Sequence, residues 1–304
     1  MKVLNFGSLN IDYVYKVDHI LLKGETQASS SRNIFAGGKG LNQSIALGRA
    51  GVKTWHAGCI GEDGRFMVEL LAEAGVDSSF VKVLTDSPSG HTVIQNDKDG
   101  DNCILLYGGA NQRITKEQID ETLEGFAAGD YLVLQNEISE LPYLIEKAHE
   151  KGLRIVLNPA PMNENIQKLK LSYVDLFLLN EVEASQLTGV SYEKEKELFQ
   201  TDELEKSELI GALRRSFPKA AVVLTLGSAG SVYFDEDQLI RQGIYEVKAV
   251  DTTAAGDTFT GYFLAGMTEG LPIKESLDLA AKASSITVTR PGAAPSIPRR
   301  EEVI

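Results

Sequence analysis

The chain alternates two patterns of hydrophobic positions. Short, mostly apolar, strand-like runs recur at Val3–Phe6, Tyr131–Leu134, Arg154–Leu157, Leu176–Leu179 and Ala221–Leu226. Between them, apolar residues return every three or four positions, as in Leu141, Leu144, Ile145 and Ala148, or Phe66, Leu70, Leu71 and Ala74. The short runs read as strands buried on both faces, and the wider spacing as the apolar stripe of a helix. Their alternation predicts a three-layer α/β/α fold around a mostly parallel sheet. Ligands in such folds gather at the carboxyl ends of strands. Polar residues just after the runs are therefore the first candidates for chemistry: Asn10 and Asp12, then Glu137, Asn158, Asn180 and Thr225 to Gly227.

Two stretches follow another rhythm. Tyr13–Ile20 and His91–Gln95 alternate apolar and polar residues, and Cys103–Tyr107 is a further short apolar run. Half-buried strands of this kind suggest a small separate sheet, read as a lid formed from about 12–36 and 88–110. An extra hairpin without function is the plain alternative. The Glu- and Lys-rich segment Glu193–Glu208 reads as a solvated loop and helix face, with no function assigned. Without repeats, low-complexity tracts or Pro/Gly linkers, residues 1–304 read as a single domain.

Composition narrows the function. A net charge of −13 over 304 residues repels polyanions, which argues against a nucleic-acid partner. A local pocket for a small phosphate remains compatible with it. Cys59 and Cys103 lie far apart, with no Cys-x-x-Cys or His cluster nearby, and read as reduced apolar fillers. The first apolar stretch is too short for a signal peptide, and no run of about 18 apolar residues follows, so a cytoplasmic chain with no membrane contact is expected.

The segment Asp251-Thr-Thr-Ala-Ala-Gly-Asp257-Thr is the richest in chemistry. Small residues at Ala254, Ala255 and Gly256 leave backbone N–H groups uncovered, and Phe259, Phe263 and Met267 behind them share one helical face. Free N–H groups at a helix start form an anion site. Asp257 in the first turn has an ordinary role as a cap. Beside an anion cradle it also suits phosphoryl transfer, accepting the proton of an attacking hydroxyl. A second glycine-rich start, Gly37-Gly38-Lys39-Gly40-Leu41-Asn42, places Lys39 and Asn42 on one face. It is not a P-loop; its glycines allow close approach of backbone to a ligand, and on local evidence an ordinary tight turn is the better reading. Asn180 and Glu183 share a face after a strand, where oxygen ligands suit Mg²⁺ held through water, and an N-cap with an acidic first turn is the alternative. Thr225-Leu226-Gly227-Ser228-Ala229-Gly230 offers backbone N–H groups to a nucleotide phosphate, or is a plain turn.

Taken in order, these segments resemble the ribokinase (PfkB) family of carbohydrate kinases over nearly the whole chain. The likeness rests on Gly7-Ser-Leu-Asn10-Ile-Asp12, Phe35-Ala-Gly-Gly-Lys-Gly40, Tyr107-Gly-Gly-Ala-Asn111, Leu157-Asn-Pro-Ala-Pro161, Leu179-Asn-Glu-Val-Glu183, Thr225-Leu-Gly227, the Asp251–Gly261 segment and Thr289–Ser296. The resemblance implies transfer of a phosphoryl group from ATP to a sugar hydroxyl, with the 5-hydroxyl of D-ribose as the leading acceptor. Asp257 would be the base, and Ala254, Ala255 and Gly256 the anion hole. Asn10, Asp12, Gly38, Lys39, Asn42, Glu137 and Asp257 would bind the sugar. Asn180, Thr225 to Gly230 and Gly256 would hold the nucleotide, with Ala281 beside adenine, and Glu183 would serve Mg²⁺. Asp251, Thr253, Thr287, Arg290, Gly292 and Ser296 would hold K⁺, mostly through carbonyls. The lid strands imply a homodimer.

The chain departs from the family at Gly90-His91-Thr92, at Gln135-Asn136-Glu137 and at Ala281. The first two touch the sugar end and keep other acceptors open: fructose, 2-keto-3-deoxygluconate, a sugar phosphate, or a nucleoside stacked on Tyr13 or Tyr107. A silent sugar-binding protein is the reading from another class, opposed by the joint presence of Asp257, Gly256, Lys39 and Glu183. A dinucleotide-binding oxidoreductase would need G-x-G-x-x-G where Gly7-Ser-Leu-Asn10 stands.

Overall fold

The computed structural model describes residues 1–201 and 203–304. In chain order the elements are β1 (Val3–Phe6), β2 (Asn10–Lys16), β3 (Ser31–Gly37), α1 (Lys39–Arg49), β4 (Thr54–Gly61), α2 (Arg65–Glu73) and β5 (Asp77–Leu84). Then come β6 (Gly90–Asn96), β7 (Asn102–Tyr107), α3 (Lys116–Glu124), β8 (Tyr131–Gln135), α4 (Leu141–Lys151), β9 (Arg154–Asn158) and β10 (Leu176–Asn180). The chain closes with α5 (Glu181–Thr188), α6 (Glu208–Ser216), β11 (Ala221–Thr225), β12 (Ser231–Phe234), β13 (Leu239–Gln242), α7 (Ala255–Glu269) and α8 (Ile273–Thr287).

Among the described residues, nine strands form the main sheet in the order β13-β12-β11-β10-β9-β8-β1-β4-β5. All its neighbours are parallel except the β11–β12 and β12–β13 pairs. The two-residue period of a strand sends alternate side chains to opposite faces. Leu4, Leu132, Leu134, Phe177 and Leu224 pack with α3 to α6 on one face. Val3, Val133, Val156, Leu178 and Val223 pack with α7 and α8 on the other. That is why these strands read as mostly apolar runs, and it gives the expected three layers.

Strands β4, β5 and β3 escape the apolar-run reading. β4 lies inside the sheet beside the edge strand β5, yet it carries His56, Gly58 and Gly61: a Cβ at Gly58 would press on the Gly7 carbonyl and one at Gly61 on the Ser87 carbonyl. β5 is the sheet edge and keeps polar residues toward water. β3 is mostly exposed. The small sheet has the order β3-β2-β6-β7, with β2 and β6 parallel. Its first strand ends at Lys16, short of the alternation read through Ile20. The described residues of the Glu193–Glu208 segment stay largely exposed, as expected of a solvated loop, but no helix face forms before Glu208. The segment folds into short 3₁₀ turns that bury Phe199 and Leu204. No described helix is long and apolar enough to cross a membrane.

Candidate functional site

Helix α7 begins without a side-chain cap. Its N-cap residue, Ala254, holds a left-handed φ of 60°, and the helix follows at once with Ala255, Gly256 and Asp257. A left-handed residue bearing a Cβ costs about 1–2 kcal/mol, strain of a kind found at functional sites. The Ala255 N–H donates to the Thr252 carbonyl at 3.2 Å. Of the three N–H groups expected to form the anion hole, at Ala254, Ala255 and Gly256, this one has a backbone partner. The Gly256 N–H has no backbone acceptor among the described residues, and Gly256 lines the cavity that holds Asp257. Asp257 does not cap. Its Oδ2 accepts from Asn42 Nδ2 and its Oδ1 from Gln43 Nε2, both at 3.0 Å.

Helix α1 supplies those donors because it starts hard against β1. Gly38 has a φ of 94°, and a Cβ at Gly40 would collide with the Gly7 and Ser8 backbone. These glycines let α1 start against the Gly7–Asn10 backbone, a close contact between protein segments. The tight start aims Lys39 into a cavity of about 240 Å³ shared with Asp257, Gly256, Ala254, Asn180 and Glu183. Burial alone would lower the Lys39 ammonium, but the carboxylates of Asp257, Glu137 and Glu183 outweigh it and raise its pKa.

The remaining sugar candidates form a floor beside Lys39. Glu137 Oε2 accepts from the Lys39 N–H at 3.1 Å and from the Ser8 hydroxyl. Burial raises the Glu137 carboxyl against those donors and the Lys39 charge. Asp12 accepts from Thr92 Oγ1 at 2.6 Å and is also raised by burial. Asn10 Oδ1 accepts from Asn111 Nδ2 at 2.7 Å. Asn42 Oδ1 is buried and has no partner among the described residues, an acceptor suited to a hydroxyl donor. Ser8, Gln43, Thr92 and Asn111 stand in or beside the motifs quoted from the sequence but were given no role there. Only the register of β2 against β6 and the fold of α1 onto β1 reveal them.

The same register separates the lid aromatics from this floor. Asp12 pairs with Thr92 and Ile11 with His91, and successive residues face opposite ways. Tyr13, His91 and Tyr107 therefore cluster on the face away from Asp12, with ring centroids 5.9 and 5.0 Å apart. The stacking platform considered for a nucleoside does not point at the candidate acceptor site.

At the start of α5, Asn180 and Glu183 form a complete capping box. Asn180 Oδ1 accepts from the Glu183 N–H at 2.8 Å, and Glu183 Oε2 accepts from the Asn180 N–H at 2.9 Å. The ordinary capping alternative thus holds here, on residues that also line the Asp257 cavity. Burial raises the Glu183 carboxyl. Next to it opens a larger cavity of about 680 Å³, lined by Leu226, Gly227, Ser228 and Ala229 with Tyr192, Lys196, Gln200 and Arg241. Lys196 and Gln200 come from the segment read as functionless. Thr225 belongs to the smaller cavity, and Ala281 on α8 lines neither.

Behind α7, Asp251 ties two loops together. Its Oδ1 accepts from the Thr253 N–H and hydroxyl, and its Oδ2 from the Gly292 N–H at 2.8 Å. Burial would raise this carboxyl, but those donors together hold it below the ordinary range. Thr287 bonds Thr258 of α7, and Ser296 closes on the Ala293 carbonyl. The Arg290 guanidinium pairs with Glu302, so only the backbone of Arg290 is available to the loop. Among the described residues no three His, Cys, Asp or Glu side chains gather as a metal site.

Comparison with known proteins places this geometry. The family model for pfkB family carbohydrate kinases matches residues 1–300. A ribokinase of Staphylococcus aureus is 34% identical over 309 residues, covering 99% of this chain and 98% of that protein. The structure of Arabidopsis thaliana ribokinase complexed with ribose and ATP is similar at a TM-score of 0.86 and 31% identity, covering 99% of this chain and 96% of that one. Ribokinase from Cryptococcus neoformans in complex with ADP matches with the same TM-score and identity, covering 99% and 98%. The chain belongs to the pfkB family of carbohydrate kinases.

Proposed function

Within that family, we propose that this protein transfers the γ-phosphoryl group of ATP to the 5-hydroxyl of D-ribose, with Asp257 as the general base. The observation that carries the proposal is the cavity in which a non-capping carboxylate, the Lys39 ammonium and the open Gly256 N–H converge. The similar protein from Arabidopsis, complexed with ribose and ATP, supports this choice of substrates.

Asp257 accepts the hydroxyl proton while the sugar oxygen bonds to the γ-phosphorus and the bond to the β–γ bridging oxygen breaks, releasing ADP. Gly256 N–H and Lys39 stabilise the charge that develops on the transferring group. Asn10, Asp12, Gly38, Asn42 and Glu137 hold the sugar, whose hydroxyls match a floor of carboxylates and amides. Leu226 to Ala229 line the nucleotide cavity, Gly230 closes their turn, and Asn180 and Thr225 stand at the phosphate end.

The donor sets fit the expected cations. A carboxylate has about four lone-pair sites, and Glu183 uses only part of them in its cap, leaving oxygen for Mg²⁺ through water. Mg²⁺ supplies neutralisation of phosphate charge in such reactions. An ionised Asp251 tied to the Gly292 N–H, together with carbonyls of the 287–296 segment, suits K⁺, which would steady the loop before α7. Exposed Phe35 and Leu106 lie on the Asp12 side of the lid, and a second copy covering them gives the expected homodimer. A reaction that consumes ATP also fits the expected cytoplasmic location.

A coupled ADP-release assay across a sugar panel, with Mg²⁺ and K⁺ present, tests the substrate. Ribose is expected to give the highest kcat/KM. Turnover of ribose no better than that of fructose or 2-keto-3-deoxygluconate would sink the ribose assignment.

A further inference from the structure

A buried hydrogen-bond chain runs away from Asp257 on the side opposite the cavity, and the reaction as proposed makes no use of it. Gln43 Nε2 donates to Asp257 Oδ1 at 3.0 Å, and Gln43 Oε1 accepts from Gln135 Nε2 at 2.7 Å. Gln135 Nε2 also donates to Asn5 Oδ1 at 3.0 Å. Asn5 Nδ2 donates to the Gly40 carbonyl at 2.8 Å and to Ser44 Oγ at 2.9 Å. Ser44 Oγ meets His56 Nδ1 at 2.7 Å. Asn5, Gln43, Ser44, His56 and Gln135 are all essentially inaccessible to solvent.

The direction of every bond between the amides and Asp257 follows from one group. A backbone carbonyl only accepts, so Asn5 must turn its amino group to Gly40 and its oxygen to Gln135. Gln135 must then present its amino group, and Gln43 must answer with its oxygen. That leaves the Gln43 amino group no direction but toward Asp257. Turning Gln43 over would set its oxygen against the carboxylate and its amino group against another amino group. Gln135 Oε1 is left buried without a partner among the described residues, a cost of about 1–3 kcal/mol. A network built for stability alone would avoid that cost. It is explained if the orientation of the Gln135 amino group matters more. Gly7 makes room for that oxygen, since a Cβ there would strike it.

We infer that Gln43 is a positioning residue for Asp257, with its orientation dictated from the Gly40 carbonyl through Asn5 and Gln135. With Asn42 on one oxygen and Gln43 on the other, the carboxylate is locked in rotation, and its remaining lone pairs face the cavity. A base acts only on a hydroxyl it meets at the right angle and distance, and an error of about 1 Å costs about 10²-fold in rate. The inference rests on the reading of Asp257 as base.

The test is the steady-state kinetics of Gln43→Glu, Asp257→Asn and the double variant. Gln43→Glu keeps the shape and loses the donor. It is expected to lower kcat by about 10²-fold with the sugar KM within about threefold, and the double variant to be no slower than Asp257→Asn. If Asp257→Asn is inactive while Gln43→Glu keeps its kcat, the positioning role is overturned and the base stands. If Asp257→Asn keeps its kcat, the base reading itself fails. Losses that multiply in the double variant also overturn the inference, because Gln43 would then act apart from Asp257. Should Gln43→Glu fail to fold, Gln135→Leu carries the test. A fall in kcat of about tenfold at unchanged KM supports the role, and an unchanged kcat overturns it.

Discussion

Helices α5 and α7 both begin with an acid at the third helical position, and the two acids end up doing opposite things. At α5 the N-cap is Asn180, and Glu183 is long enough to reach back to the Asn180 N–H, so the helix start satisfies itself. At α7 the N-cap is Ala254, which has no side chain to offer and sits in a left-handed conformation. Asp257 is one carbon shorter, and its oxygens go instead to Asn42 and Gln43, more than two hundred residues earlier in the chain. The difference teaches how a helix start becomes a reactive site. A start whose N–H groups are answered locally has fewer donors left for an anion. A start left unanswered, with its acid held from outside, keeps both an anion cradle and a directed carboxylate.

Asp257→Asn is the largest break that can be made in this contrast. Loss of a general base is expected to lower kcat by about 10³–10⁴-fold while the sugar still binds, measured by ADP release and calorimetry. Near-normal turnover would return Asp257 to the ordinary role of a helix-start acid.

Acidification attacks the α7 side more gently, through His56 at the far end of the chain that reaches Asp257. Burial lowers the His56 imidazole from 6.5 to about 4, the Gly7 backbone pulling weakly the other way. A histidine depressed in the folded state stabilises fully above 6.5, and that stability drains away as pH falls toward about 4, because the unfolded chain takes up the proton first. The shift corresponds to roughly 3 kcal/mol. Urea denaturation at stepped pH is expected to show His56→Asn with a shallower loss of stability across that window. Equal slopes would detach His56 from the network.

On the α5 side, Asn180→Ala removes a complete cap and is expected to cost about 1 kcal/mol, read as a lower urea midpoint. No measurable loss would mean that α5 is held by packing alone, and the contrast in capping would carry no energy.

Much of the fold was legible because parallel strands covered on both faces leave apolar runs that nothing else in a chain of this size leaves. Val3–Phe6 and Leu176–Asn180 were found that way. Strand β4 was not, since an inner strand that passes close to Gly7 must use glycine and histidine where its neighbours use leucine. In the site, Lys39, Asn42, Glu183 and Asp257 were readable from their places at helix starts. Gln43 and Gln135 were not, because an amide in a helix or at a strand end carries no signal until its partner is known. Tyr13 and Tyr107 looked available to a ligand until register turned them to the other side of the lid. The segment around Lys196 and Gln200 read as solvent until its 3₁₀ turns brought it to the nucleotide cavity.

The sequence by itself determined the layered architecture and the inventory of reactive groups, since both follow from local spacing and residue chemistry. Only the tertiary structure decided which acid caps and which one is free to act. That choice depends on donors supplied from distant segments, and a hydrogen bond between residues two hundred positions apart leaves no trace in the local pattern of either.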